Sequence, residues 1–166
     1  MRLRLAALLV TGLALVAAPS ATSDPPLKVP VVIEPFTLTG VCDFPVLLEA
    51  AGPQNQKIIF FSDGRITING QLFTRATNMD DPSKVWEGTA SGPVFLDPPM
   101  PDGSTRVKGT GTNLWYFFPG QVSEGAPGAL FWVRGLSTEI VDANGVPVTG
   151  TFEHHGAIEN LCETLA

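Results

Sequence analysis

The stretch that decides the fold is RITINGQLFTRAT, residues 65–77. Its apolar residues alternate with polar ones, with only Phe73 out of place, which is the period of a β-strand that turns one face towards a core. The alternation continues through Gly70, whereas a tight turn at Asn69 and Gly70 would leave only a short strand before it. We therefore predict one long strand over 65–77, with a glycine on its inner face.

Glycine recurs at inward positions of the other alternating segments. Gly40 lies between Leu38 and Cys42, and Gly88 follows Trp86 at the same parity; further inward glycines are Gly109, Gly111 and Gly150. Glycine inside a strand packs poorly and loses much backbone entropy, so its repetition needs a structural reason. Strong curvature supplies one, because a sheet that closes into a small barrel bends at inward glycines.

From Phe36 onward, alternating segments are separated by turn residues, and no stretch of ten residues has a convincing helical period. Asp63 and Gly64 give a strong hairpin signal. The sequence therefore predicts a single all-β domain over 36–166. We expect an antiparallel meander of seven to eight strands that forms a small closed or nearly closed β-barrel, with a β-sandwich as the alternative.

The N-terminal residues have the pattern of an export signal. Arg2 and Arg4 precede an apolar run over 5–18, and small residues follow. This pattern predicts a signal peptide over 1–23, with cleavage after Ser20 or Ser23, and a secreted, extracellular protein. The apolar run is shorter than the roughly 20 residues of a membrane-spanning helix. We predict no transmembrane segment in the mature chain.

Residues 24–35 contain four prolines, each of which fixes φ and lacks a main-chain donor. We predict a Pro-rich extended leader here.

The charge balance excludes some partners. The chain has ten Lys and Arg against sixteen Asp and Glu, and loss of Arg2 and Arg4 with a signal peptide would lower the net charge from −6 to −8. Nucleic acids and anionic membrane surfaces are poor partners for such a protein.

Cys42 and Cys162 are the only cysteines. Because an exported chain meets an oxidising compartment, we predict that they form a disulfide. If the parity of the last strand persists to its end, both cysteines face inward, and the bond would join the first strand to the end of the last.

No residue pattern of catalytic or metal-binding strength is present. His154 and His155 are adjacent, so they would point to opposite faces of a strand and would not readily bind one metal ion. No Gly-x-Ser-x-Gly motif accompanies them. We predict no catalytic residue, no metal and no cofactor, and keep a secreted hydrolase as the third hypothesis for function.

The aromatic residues support the leading functional hypothesis. Residues 115–118 are all aromatic, and Phe131 and Trp132 lie on the next strand, so both faces of this hairpin are apolar at one end. A loop, another subunit or a ligand must cover the second face. We predict a non-enzymatic protein that binds a small apolar ligand or lipid, with these candidate lining residues: Trp86, Trp115, Phe117, Phe131 and Phe152. The alternative is a cell-surface protein–protein interaction or structural module that uses the aromatic end of the hairpin; the oligomeric state stays open.

The segment GVCDFPV, residues 40–46, the turn at Asp63 to Arg65 and the terminal Leu161-Cys162 behind an export signal resemble a group of small exported proteins of actinobacteria. The resemblance implies export and a β domain with paired cysteines. It transfers no catalytic residue.

Overall fold

The computed structural model describes residues 25–166. The predicted signal peptide, 1–23, lies outside the described residues.

Nearly all the regular secondary structure of the described chain is β-strand. They are β1 (Leu27–Pro30), β2 (Phe36–Leu38), β3 (Val46–Ala50), β4 (Lys57–Phe60), β5 (Ile66–Asn69), β6 (Phe73–Asn78), β7 (Val85–Thr89), β8 (Val94–Leu96), β9 (Thr105–Phe117), β10 (Ala129–Val141) and β11 (Glu153–Asn160), followed by the short helix α1 (Leu161–Thr164). All strand pairs are antiparallel. The predicted all-β class is confirmed.

The strands form two sheets, and four segments of the chain each contribute one strand to both sheets. The larger sheet has the order β1-β4-β5-β8-β9-β10-β11, and the smaller has the order β2-β3-β6-β7. The first eight strands are therefore the halves of four bent segments, 27–38, 46–60, 66–78 and 85–96. With β9, β10 and β11 the chain makes seven passes, and each pass is hydrogen-bonded to the next. The predicted meander is confirmed.

Main-chain hydrogen bonds hold the four bent segments together through their bends. The N–H of Ala51 donates to the carbonyl oxygen of Phe73 at 2.8 Å, and the N–H of Asn55 donates to the carbonyl oxygen of Gln71 at 3.2 Å. Each segment thus keeps its neighbours while it passes from one sheet to the other.

The segment 65–77 bends at Gly70. β5 pairs with β4 and β8 in the larger sheet, whereas β6 pairs with β3 and β7 in the smaller one. The rejection of a hairpin at Asn69 and Gly70 is confirmed, but the prediction of one unbroken strand is wrong. Gly70 has φ +131°, and a Cβ there would lie 2.5 Å from the carbonyl oxygen of Asn55, so the chain turns a corner where only glycine fits.

A row of glycines crosses the larger sheet at this corner. Gly111, Gly135 and Gly156 are paired with one another across β9, β10 and β11. Gly92 continues the row, since its Cα lies 3.4 Å from the Cβ position of Gly111, and Gly70 lies on the next segment. Strong curvature at glycines is thus present. Two of the predicted inward glycines, Gly70 and Gly111, belong to the row.

The hydrogen bonding does not confirm a closed barrel. Within residues 25–166, no strand pairing joins β11 to β1 or β2. Two packed antiparallel sheets fit the β-sandwich, which the sequence left as the alternative.

The interior is divided into two apolar clusters. The first lies against the smaller sheet and contains Leu38, Val46, Leu48, Ala76, Leu130 and Leu161 among its buried residues. The second contains Val107, Trp115, Phe117 and Val133. Leu114 and Trp132 pack against the first cluster, so β9 and β10 have both faces buried.

Cys42 and Cys162 form the predicted disulfide, with their Cα atoms 5.3 Å apart. The route differs from the prediction, however. Cys42 lies in the loop after β2, and Cys162 lies in α1 because the strand ends at Asn160, whose side chain caps the helix by accepting from the N–H of Cys162. The bond fits an oxidising, extracellular environment.

Part of the predicted leader belongs to the sheet. Residues 27–30 form β1, which pairs with all four residues of β4. Val31 N–H also donates to Gln56 at 2.9 Å. The backbone there is extended, as predicted, but it is paired to the domain.

Candidate functional site

An apolar cavity lies inside the corner between the two sheets. Its volume is about 240 Å³. We call it the apolar cavity; it is lined by Ile33, Phe36, Leu48, Glu49, Ala50, Gln56, Ile68, Leu72, Thr74, Ala90, Gly92, Val94, Asn113, Leu114 and Tyr116. Ile68 precedes the bend at Gly70, Leu72 follows it, and both line the cavity, so the cavity lies at the bend. The glycine row therefore positions this cavity.

One buried polar group in the apolar cavity lacks a partner. Thr74 is 5% exposed, and its hydroxyl forms no hydrogen bond within the described part of the chain. Leaving a buried hydroxyl unpaired costs about 1–3 kcal/mol. By contrast, the side-chain amide of Asn113 donates to the carbonyl of Thr110 at 3.0 Å. Thr74 is thus the lining residue with an unused hydrogen-bonding capacity.

Two exposed aromatic side chains flank the mouth of the apolar cavity. Phe36 on β2 is 41% exposed, and Tyr116 on β9 is 47% exposed. Both line the cavity. A molecule in the cavity would therefore extend between two aromatic rings towards solvent.

Four of the five predicted ligand-lining residues lie together in the second apolar cluster. The rings of Phe117 and Phe152 are 4.7 Å apart, Phe131 and Phe152 stack at 5.8 Å, and Trp115 and Phe152 are also 5.8 Å apart. Trp86 lies elsewhere, 5.6 Å from Trp132 in the first cluster. None of the five lines the apolar cavity. Their contact with a ligand stays a prediction; four of them contact one another, and Trp86 contacts Trp132.

Two loops cover the second face of the β9–β10 hairpin. Residues 118–128 contribute Val122, and residues 142–152 contribute Phe152. Gly150 N–H donates to the carbonyl of Val122 at 3.1 Å, and the hydroxyl of Thr149 donates to Gly120 at 3.0 Å. Of the three coverings that the sequence left open, the structure places loops there. The apolar residues on both faces of the hairpin had indicated that the second face is covered, but not whether a loop, another subunit or a ligand covers it.

A second cavity, of about 300 Å³, lies beside Glu139. We call it the Glu139 cavity; it is lined by Leu114, Trp115, Tyr116, Phe118, Gln121, Glu139, Gly145, Val146 and Pro147. Glu139 is 8% exposed, and burial raises the pKa of its carboxyl to about 7. Glu139 is not among the site residues predicted from the sequence. Its parity on β10, which it shares with Phe131 and Val133, is a signal that could have indicated burial.

The two histidines lie on β11 and are exposed. His154 is paired with Ser137 across the strands, but the Ser137 side chain is fully buried, and its hydroxyl forms no hydrogen bond among residues 25–166. No group of three or more His, Cys, Asp or Glu side chains able to hold a metal ion occurs in that range.

None of the helices in the described part of the chain has the length and apolar character needed to cross a membrane.

Comparison with protein-family models, with curated proteins and with solved structures gives no match to this chain.

Proposed function

We propose that this chain is an exported, non-enzymatic binding protein that holds a small apolar molecule in the apolar cavity. The observation that carries the proposal is the cavity itself, with its mainly aliphatic lining and its unpartnered Thr74 hydroxyl. An apolar lining favours an apolar occupant, since the removal of apolar surface from water contributes roughly 25 cal/mol per Å².

The volume sets the size of the ligand. The cavity of about 240 Å³ exceeds the roughly 150 Å³ cavity that binds benzene, but lies below the range of about 300–1,000 Å³ typical of drug-sized ligands. A single ring or a short acyl segment fits inside. One polar atom near Thr74 would complete the hydrogen bonding, and a longer molecule would extend between Phe36 and Tyr116.

The test is to purify the protein from its own host and to analyse it by native mass spectrometry before and after solvent extraction. We expect an extractable small molecule of constant mass. Ala90→Leu, which places three more carbon atoms in the cavity, should abolish its retention. Ala51→Leu is the matched control, because Ala51 is exposed and does not line the cavity. Equal retention by both variants, or no bound molecule in the parent protein, would contradict the proposal.

The second candidate function is protein–protein interaction at the aromatic end of the hairpin. Tyr116 and Phe118 are exposed, and their rings meet edge to face at 6.3 Å. Trp132 is unsuitable as a probe of this surface, since it packs on Trp86 and donates its indole N–H to Thr89 at 2.9 Å. Light scattering of the parent and of Phe118→Ser separates the hypotheses: self-association that Phe118→Ser removes supports an interface, and a monomer in both cases counts against self-association there.

A further inference from the structure

The Glu139 cavity contains polar groups that have no partner. Oε2 of Glu139 and the indole Nε1 of Trp115 are buried, and neither forms a hydrogen bond in the described part of the chain. Both side chains are more than nine-tenths buried, and both line the cavity. A carboxyl group without a cationic partner in such a place is unusual, because buried charges are normally paired. The described ion pairs of the chain involve other residues.

The edge of β9 adds main-chain acceptors to the same cavity. Thr110 N–H donates to Pro93, and the Thr112 carbonyl accepts from Gly92, so even-numbered residues of β9 direct their main-chain groups towards the side of β8. Within residues 25–166, no strand pairs with β9 on that side beyond Thr112. By strand alternation, the carbonyls of Leu114 and Tyr116 point to this free edge. Both residues line the Glu139 cavity.

Aromatic rings complete the lining. Trp115, Tyr116 and Phe118 all border the cavity, and the face of an aromatic ring attracts a cation within about 6 Å of its centre. The indole N–H of Trp115 is a donor, but the carboxylate, the free carbonyl oxygens and the aromatic rings share one preference: they attract a positively charged group. An ammonium group offers up to three N–H donors, which matches this set.

We propose that the Glu139 cavity is a binding site for a small organic ammonium ion, with the Glu139 carboxylate as its counter-ion. This site is separate in function from the apolar cavity, although Leu114 and Tyr116 border both. The charged groups that line the next cleft beside Glu139 are Arg106 and Glu153. Neither forms a salt bridge with Glu139 in the described part of the chain.

Cation binding at this site should depend on pH, because it is linked to the ionisation of Glu139. Burial raises the pKa of Glu139 to about 7, so the carboxyl of the free protein is largely neutral under mildly acidic conditions. A bound cation stabilises the ionised form and must therefore lower this pKa. Binding should be tightest above pH 7 and should weaken as the pH falls below it, because the proton and the ammonium ion compete for the same carboxylate.

The test uses the mature protein and three probes of similar shape: benzylammonium, benzyl alcohol and benzoate. Nuclear magnetic resonance titration at pH 8 should give saturable binding of benzylammonium, at least ten-fold tighter than that of the two other probes. Glu139→Gln should weaken benzylammonium binding at least ten-fold. The matched control is Glu153→Gln, which removes the same charge from the neighbouring cleft and should change the affinity less than two-fold.

Each contrary result overturns the proposal. Equal affinity for benzyl alcohol would mean that the cavity selects an aromatic ring alone. Unchanged binding in Glu139→Gln would place the cation elsewhere, and no saturable binding of benzylammonium would leave the carboxyl without this role. Ala90→Leu, which fills the apolar cavity, should leave benzylammonium binding intact, so failure here and failure of the proposed function are distinguishable.

Discussion

Residues 27–96 and residues 105–160 take the same bend in two different ways. In the first region each of four segments breaks into two short strands, and the halves enter different sheets. In the second region β9 and β10 keep an uninterrupted register of thirteen paired residues through the bend. Three of the glycines in the row belong to the second region. Gly111, Gly135 and Gly156 face one another, so three neighbouring strands bend at one line without losing their hydrogen bonds.

The two regions also differ in what they enclose. The broken strands of the first region surround most of the apolar cavity, whereas the continuous strands of the second region carry the aromatic cluster and Glu139. Broken strands free their side chains from a shared sheet surface and leave space. On and beside the continuous strands four aromatic rings pack together, with Phe131 and Phe152 stacked and the other ring pairs tilted.

The largest expected loss of stability comes from removing the disulfide that joins the two regions. Cys42 and Cys162 are 120 residues apart in sequence, and closing a loop of that size stabilises a fold by roughly 5 kcal/mol in the chain-entropy model. We expect the double variant Cys42→Ala, Cys162→Ala to lose stability of about this size in urea denaturation. A loss of less than about 1 kcal/mol would mean that the two regions hold together without the bond.

The next effect tests the two kinds of bend directly. A Cβ at Gly135 would collide with the main-chain oxygen of His155, and the φ of +138° is strained for any other residue. We expect Gly135→Ala to lower the free energy of unfolding by about 3–4 kcal/mol. Gly70→Ala should cost less, because the clash falls in the segment 51–56 between strands and interrupts no continuous strand.

Gly150→Ala is the control that measures the cost of a positive φ without a steric clash. Gly150 has φ +78° and nothing within 4 Å of its Cβ position, so the loss should be about 1 kcal/mol. Urea denaturation of the three alanine variants gives the loss in free energy of unfolding at each glycine. Equal losses for Gly70→Ala and Gly135→Ala would contradict the distinction between broken and continuous strands.

The third expected effect is a pH dependence of stability that comes from the Glu139 carboxyl in the second region. Burial raises the pKa of Glu139 from 4.5 in the unfolded chain to about 7 in the fold. Its carboxyl is neutral in both states below pH 4.5, so it costs nothing there. As the pH rises through 4.5 to 7, the unfolded state ionises first, and stability falls by about 3 kcal/mol in total.

Glu139→Gln removes this dependence. The variant should match the parent at pH 4 and exceed its stability by up to about 3 kcal/mol at pH 8, as measured by denaturation at both values. A variant that is less stable than the parent at pH 8 would show that the carboxylate is satisfied in the fold.

The smallest effect concerns the unpartnered group of the first region. Thr74→Val replaces the buried hydroxyl by a methyl group of similar volume and should stabilise the ligand-free protein by about 1 kcal/mol. Because no ionisable group changes, the gain should be the same at pH 4 and pH 8, unlike that of Glu139→Gln. A destabilised variant would mean that the Thr74 hydroxyl has a hydrogen-bond partner in solution.

Much of the local structure was predictable because it depends on neighbouring residues. The alternation in 65–77, the turn at Asp63 and Gly64, and the pairing of each segment with the next all follow from periods and turn residues that lie close together in the chain. The leader was harder to predict. Its prolines fix an extended backbone, but whether that backbone pairs with β4 depends on the position of a distant strand.

The candidate site shows the same limit. Inward parity selected Trp115, Phe117, Phe131 and Phe152 as a group, and the structure brings them together. Parity does not tell whether inward side chains meet or leave a space between them. Thr74 and Glu139 were not selected, since a threonine or glutamate in an alternating strand has the same pattern whether it is buried or exposed.

The sequence by itself determined the β class, the order of the meander and the identity of the two bonded cysteines, because each follows from residue type and short-range spacing. Only the tertiary structure decided where the sheet bends, which glycines share one line and which side chains enclose the two cavities. These features depend on register between strands, and register arises from the packing of residues far apart in the chain.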